Sequence, residues 1–155
     1  MEVSTMLLIK NGRFYISNAS FALPDNSYLV TIGSEGVWEN GLEITDRNET
    51  FNITIRGFFD KRPGADFFKF LDEAEPPFRR LSLVVPIQQN GLSGYCVYYE
   101  SGRHSYCEYL FDLEEQDDVN GLHIVVFMNK RHGNIFKVAQ SQIVQDLITS
   151  VRKEP

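Results

Sequence analysis

Short apolar runs alternate with turn residues along most of the chain, and the dominant period is nearer two than 3.6. Residues 6–10 and 13–17 flank Asn11-Gly12. Asn-Gly between two apolar runs predicts a hairpin, because both turn residues must take positive φ. Residues 20–23 continue as a short strand that stops at Pro24-Asp25-Asn26, and residues 28–32 make another, ended by Gly33-Ser34-Glu35-Gly36. A second hairpin is expected from residues 42–45 and 51–56 across Asp46-Arg47-Asn48-Glu49. In its second arm Phe51, Ile53 and Ile55 face one way and Asn52, Thr54 and Arg56 the other, the pattern of a half-buried strand.

The period then changes. Pro63-Gly64-Ala65-Asp66 opens a short helix ending near Ala74, with Phe67, Phe68, Phe70 and Leu71 as its apolar stripe. Glu75-Pro76-Pro77 stops it. Four strands follow, at residues 81–88, 94–100, 105–113 and 122–129, separated by Asn90-Gly91, by Ser101-Gly102-Arg103-His104 and by the acidic run 114–121. That run is expected as a solvated hairpin tip, since it lacks the alternating oxygen ligands and closing carboxylate of a cation loop. Residues 138–152 predict an amphipathic helix. Ile143, Val144, Leu147, Ile148 and Val151 line one face, and Gln142, Gln145, Asp146 and Lys153 point out. Segregated elements in this order mean an α+β fold: a twisted antiparallel β-sheet packed by a middle helix and a C-terminal helix, with 1–155 as a single domain.

Composition narrows the function classes. A chain of 155 residues with 43 % hydrophobic content can build a core without a metal or disulfide. A formal charge of −6, with the basic residues scattered, speaks against a nucleic-acid partner. No apolar run approaches the ~20 residues of a membrane span. The first nine residues lack a basic region and a cleavage site, so the expected location is cytoplasmic, a leaderless mature extracytoplasmic domain being the other option.

Three segments carry a family resemblance. Phe21-Ala22-Leu23-Pro24-Asp25 resembles the F-x-L-P-D/G segment near the start of PsbP-like, Mog-like and DcrB-like domains. Gly94-Tyr95-Cys96-Val97-Tyr98-Tyr99 followed by Tyr106-Cys107-Glu108-Tyr109 resembles their G-x-x-x-x-Y … Y-x-E/Q strand pair. Ser150-Val151-Arg152 is similar to the close of their last helix. The chain departs where many members carry Gly-Trp after the proline and it has Asp25-Asn26-Ser27-Tyr28. The resemblance implies an α/β/α sandwich around a central antiparallel sheet. Known members are mostly non-catalytic: photosystem accessory subunits, a Ran-binding regulator, bacterial lipoproteins and chaperones for secreted toxins. It therefore implies a binding surface, with another protein as partner, and a homodimer if the chaperone variant holds.

Little in the sequence points to chemistry. There is no phosphate loop, G-x-S-x-G, H-E-x-x-H or C-x-x-C, and neither a cofactor nor a metal is expected. Cys96 and Cys107 flank the turn at Ser101-Gly102. If facing residue numbers sum to 203 the two cysteines oppose each other; if they sum to 205 Cys107 faces Tyr98. The first register would allow a disulfide in an oxidising compartment, and otherwise the pair are buried thiols. His104 and Cys107 differ in strand parity, which sends their side chains to opposite faces and disfavours a catalytic pair. His123 is expected to be solvated or a satisfied core group.

Tyr95, Tyr98, Tyr99, Tyr106 and Tyr109 form the densest aromatic group, split by alternation between two faces. With Trp38 they are the candidate binding residues. An exposed apolar groove bounded by Trp38, Tyr98 and Tyr106 would favour a non-catalytic protein-binding or adaptor domain. A pocket between sheet and helix would favour the alternative, a small-molecule-binding protein or small enzyme.

Overall fold

The computed structural model describes residues 7–22, 28–32, 41–58, 78–116 and 119–154. The helix expected over residues 63–74 and the candidate contact residue Trp38 lie outside the described residues. In chain order the strands are β1 (Leu7–Lys10), β2 (Arg13–Ile16), β3 (Ala19–Ala22), β4 (Tyr28–Ile32), β5 (Gly41–Asp46) and β6 (Asn52–Phe58). There follow β7 (Phe78–Arg80), β8 (Val85–Gln89), β9 (Leu92–Ser101), β10 (His104–Gln116) and β11 (Val119–Asn129). A 3-10 turn over Lys130–His132 leads to helices α1 (Ile135–Ala139) and α2 (Gln142–Ser150), and β12 (Arg152–Lys153) closes the described chain.

Two antiparallel sheets result. The smaller runs β1-β2-β3-β12. Its first hairpin is the one Asn-Gly predicts: Leu7 pairs with Ile16 and Lys10 with Arg13, while Asn11 and Gly12 sit at φ of 54° and 75°. The larger runs β4-β5-β6-β11-β10-β9-β7, with β8 on the same edge of β9 as β7. The fold is thus α+β in a strand-rich form, with short helices among the described residues.

Four expectations need correction. Of the strand expected over residues 81–88 only the part from Val85 forms, as β8; residues 81–84 are irregular, and β7 ends before them at Arg80. Ser82 Oγ accepts from the Tyr98 amide at 2.9 Å, in place of a ladder carbonyl, and the chain bends there. Pro86 is tolerated in β8 because this is a sheet edge. The acidic run is not a free loop. β10 continues to Gln116 and β11 starts at Val119, with a bulge between the Asp112–Gly121 and Gln116–Val119 pairs. The C-terminal helix is two helices. Ser141 takes extended backbone (φ −65°, ψ 158°) and its hydroxyl donates back to the Val138 carbonyl, so the first helix stops at Ala139 and the second starts at Gln142. Finally, Arg152 belongs to no helix; with Lys153 it pairs with Ser20 and Ala19 of β3.

The main core lies between the sheets and the two helices. From the large sheet Ile44, Ile53, Ile55, Ile124 and Val126 are fully buried, and from the small sheet Phe14, Ile16, Ala19 and Phe21. Phe14 and Phe21 stack at 5.5 Å, and burying each ring is worth about 2–3 kcal/mol. The predicted face of α2, Ile143, Val144, Leu147 and Ile148, closes over this core. Arg13 Nη2 donates to the Ser150 carbonyl at 2.6 Å, and Ser150 Oγ accepts from the Ala22 amide at 2.9 Å. These two bonds fix the end of α2 to the small sheet. The other face of the large sheet carries a second buried cluster, Val97, Tyr99 and Leu110, so at β9 and β10 both faces are covered.

Candidate functional site

The register of four adjacent strands sets the site. His123 of β11 pairs with Arg56 of β6 and Leu110 of β10, and Tyr106 of β10 pairs with Phe127 of β11 and Tyr99 of β9. Period-two alternation then gathers Thr54, Arg56, His104, Tyr106, Glu108, His123, Val125 and Phe127 on one face. This is the face away from α1 and α2. Its described residues line a groove of about 440 Å³, walled by Tyr106, Phe127 and Val125 and floored by Thr54, Arg56 and His123, with His104 at its rim.

Beneath the groove a chain of polar contacts crosses the strands. Glu108 is 3 % exposed. Its Oε1 accepts from the Tyr99 hydroxyl at 2.8 Å, and its Oε2 lies 2.9 Å from His123 Nε2. Arg56 Nε donates to His123 Nδ1 at 3.4 Å. Nδ1 is therefore the acceptor, which puts the imidazole proton on Nε2, facing the carboxylate. Burial, then the neighbouring carboxylate, pushes the Tyr99 phenol well above its ordinary pKa, so Tyr99 stays a donor throughout the accessible range. Over this layer lies an aromatic row: Tyr99 stacks on Tyr106 with centroids at 4.7 Å, and Tyr106 on Phe127 at 6.1 Å.

The tyrosines predicted from the sequence fall on two faces. Tyr99 and Tyr106 belong to the groove face. Tyr95 shares it but lines a separate depression with Pro86 and Asp112. Tyr98 and Tyr109 lie on the helix-covered face, where Tyr98 stacks on Phe136 of α1 at 4.5 Å. Tyr98 and Tyr106 therefore cannot bound one groove, which corrects that expectation. Their positions differ in facing parity, because Tyr98 pairs with Cys107 and Tyr106 with Tyr99. His104 and Cys107 point to opposite faces, as parity requires: Cys107 is fully buried in the main core and His104 is exposed on the groove side.

Sequence reasoning did not assemble Thr54, Arg56, Glu108, His123, Val125 and Phe127 into a site. The signal was present in part, since Thr54 and Arg56 already stood on the face opposite Ile53 and Ile55. What was lacking was the β6-β11-β10 order, which no local pattern encodes. Among the described residues no group of three or more histidine, cysteine or acidic side chains is placed to hold a metal ion, and no helix is long and apolar enough to cross a membrane.

No protein-family model matches the sequence, and the search of curated proteins gives no match. The chain is similar in structure to LpqN, a protein involved in cell envelope biogenesis of Mycobacterium tuberculosis. The TM-score is 0.58 at 12 % identity, over 90 % of this chain and 86 % of that one. A chain from Bacteroides thetaiotaomicron VPI-5482 aligns with a TM-score of 0.48 at 14 % identity, over 94 % of this chain and half of that one. At such identity the likeness to LpqN shows a common fold.

Proposed function

We propose that the 155 residues form one non-catalytic protein-binding domain of the PsbP/Mog/DcrB-like kind, acting as an adaptor, and that the groove over β6, β11 and β10 is its contact surface. The observation that carries this reading is the aromatic wall. Tyr106 and Phe127 are only half-buried, yet they lie side by side over a floor of polar groups that are bonded to one another. Rings held rigidly at a half-buried surface give large contact area at small entropic cost, which is what recognition sites use. The occupant that fits is a peptide segment carrying an apolar or aromatic side chain. The cytoplasmic location expected from the sequence is kept in this reading, and the chaperone variant adds a homodimer.

A second reading, a small-molecule pocket or enzyme, is favoured by the convergence of Arg56, His123 and Glu108 on one spot. Against it, Glu108 accepts from Tyr99 and faces His123, and His123 Nδ1 accepts from Arg56, so each of the three already has a contact within the layer. The groove also opens away from the described helices, whereas that reading expected a pocket between sheet and helix.

The test is selection of a displayed random-peptide library on the wild-type chain and on a Tyr106→Ala, Phe127→Ala double variant shown by circular dichroism to be folded. One enriched peptide family is expected, with binding reduced at least about tenfold on the variant, equivalent to about 1.4 kcal/mol. No enriched family, or a family that binds both proteins equally, would refute the assignment of the groove.

A further inference from the structure

Cys96 and Cys107 stand apart from the groove, on the helix-covered face. Their sulfurs are 3.8 Å apart and unbonded. The register sums to 205: Cys107 pairs with Tyr98 and Cys96 with Tyr109, so the cysteines are diagonal neighbours on adjacent strands. Two features make this more than a pair of core thiols. The first is asymmetric access, for Cys96 is partly exposed whereas Cys107 is completely buried. The second is the set of donors around Cys107. The Cys96 S–H and then the Tyr109 and Tyr98 hydroxyls hold the Cys107 thiol below its ordinary pKa, while donation to Cys107, then burial, raises Cys96.

We propose that Cys96 and Cys107 form a reversible thiol–disulfide site, oxidised by a small-molecule disulfide of the glutathione class and reduced again by the free thiol. In the first step the more accessible Cys96 sulfur attacks one sulfur of oxidised glutathione, its proton passing to the departing glutathione as the bond forms. A mixed disulfide forms, and one glutathione leaves as its thiol. In the second step the Cys107 sulfur attacks the Cys96 sulfur and gives up its proton, the two cysteines are joined, and the second glutathione leaves and takes up that proton. Two cysteine thiols are oxidised and one glutathione disulfide is reduced.

The bond should be labile. Forming it requires the sulfurs to close from 3.8 Å to the ~2.0 Å of a disulfide. Diagonal positions in a flat antiparallel pair lie about 7–8 Å apart, beyond the usual span between bridged residues of about 4.4–6.8 Å. Closure must tighten the twist between β9 and β10, and a strained disulfide is the more easily reduced. The pair therefore suits a site that opens and closes with redox conditions better than a permanent staple.

The experiment equilibrates the native chain in a series of reduced and oxidised glutathione mixtures. The reaction is quenched in acid, free thiols are alkylated, and intact mass and non-reducing peptide maps are read. Far-UV circular dichroism confirms that the protein stays folded. Under oxidising mixtures the wild type is expected to lose two hydrogens in mass and to give one linked peptide containing Cys96 and Cys107, fully reversed by reduced glutathione. Cys107→Ser should stop at a glutathione adduct on Cys96, and Cys96→Ser should give neither adduct nor link. A wild type that halts at the Cys96 adduct, that keeps both thiols free at the most oxidising mixture, or that links them only once unfolded would overturn the proposal.

Discussion

Replacing Glu108 by alanine tests whether the polar layer under the groove is there for stability or for chemistry. The carboxylate is buried; it accepts from the Tyr99 hydroxyl at 2.8 Å, and His123 Nε2 lies 2.9 Å from its other oxygen. Its removal takes the acceptor from the Tyr99 hydroxyl and the facing carboxylate from the imidazole, at a place water reaches poorly. Such a loss costs about 1–3 kcal/mol per group. For the Tyr99 hydroxyl and the facing imidazole together, a destabilisation of about 3 kcal/mol is expected. With a urea m-value of about 2 kcal/mol/M for a domain of this size, the unfolding midpoint should fall by about 1.5 M. Urea titration followed by far-UV circular dichroism reads this directly. Tyr99→Phe should cost about 1 kcal/mol, and the double variant should lose less than the sum of the two, because the pair shares one bond. A Glu108→Ala protein as stable as the wild type, or more so, would refute the argument. It would mean that the buried polar groups are kept at the expense of stability, the mark of a functional site, and the small-molecule reading would then take precedence.

Two further outcomes follow from the fold. At Gly94 an added Cβ would lie 2.3 Å from the Leu110 carbonyl oxygen and 2.9 Å from the Phe111 Cα. Gly94→Ala must open the β9-β10 ladder and should cost on the order of 3 kcal/mol or more. At Gly102 nothing lies within 4 Å but φ is +60°, so Gly102→Ala should cost only about 1 kcal/mol; urea midpoints compare the two. Lys130 and then Arg79 hold the Glu100 carboxyl below its ordinary range, through contacts of 3.1 and 2.9 Å. A carboxylate lowered in the folded state contributes stability above its unfolded pKa and loses it as pH falls through the folded one. Melting temperature should therefore fall on acidification past the ordinary carboxylate range, less steeply in Lys130→Met. High salt should shrink the difference, since the pair is open to solvent.

Where local chemistry decides structure, the sequence was informative. Asn11-Gly12 dictated a hairpin because few other pairs accept two positive φ values, and the register came out as that turn requires. The buried stripe of α2 was legible because four apolar residues at 3.6 spacing admit one face. The errors arose where a single polar side chain competed with the backbone. Ser141 ended a helix that periodicity carried through it, and Ser82 took an amide that a regular strand would have paired. The acidic run misled for a different reason. Charge suggested a solvated loop, yet a bulge lets residues 114–116 stay in β10. The groove was invisible because it depends on β6 lying next to β11, a pairing across more than sixty residues of sequence.

The groove face has the composition of neither a core nor an ordinary surface. A sheet covered on both faces usually reads as continuous apolar strands. Here the positions facing away from α1 and α2 are Asn52, Thr54 and Arg56, then His123, Val125 and Phe127, then His104, Tyr106 and Glu108. Among the buried positions of this face, beside the apolar Val97 and Leu110, the polar Thr54, Glu108 and His123 occupy sites an apolar residue would fill at lower risk. Where it is open, at Tyr106, Val125 and Phe127, apolar groups occupy sites a polar residue would fill. Stability alone explains neither choice. The proposed contact surface, a fixed aromatic wall presented to a partner, accounts for both. In the buried polar layer one hydrogen bond joins β6 to β11 and another joins β10 to β9, with the His123 imidazole facing the Glu108 carboxylate between them, and the half-buried rings stand on this layer as the proposed contact wall.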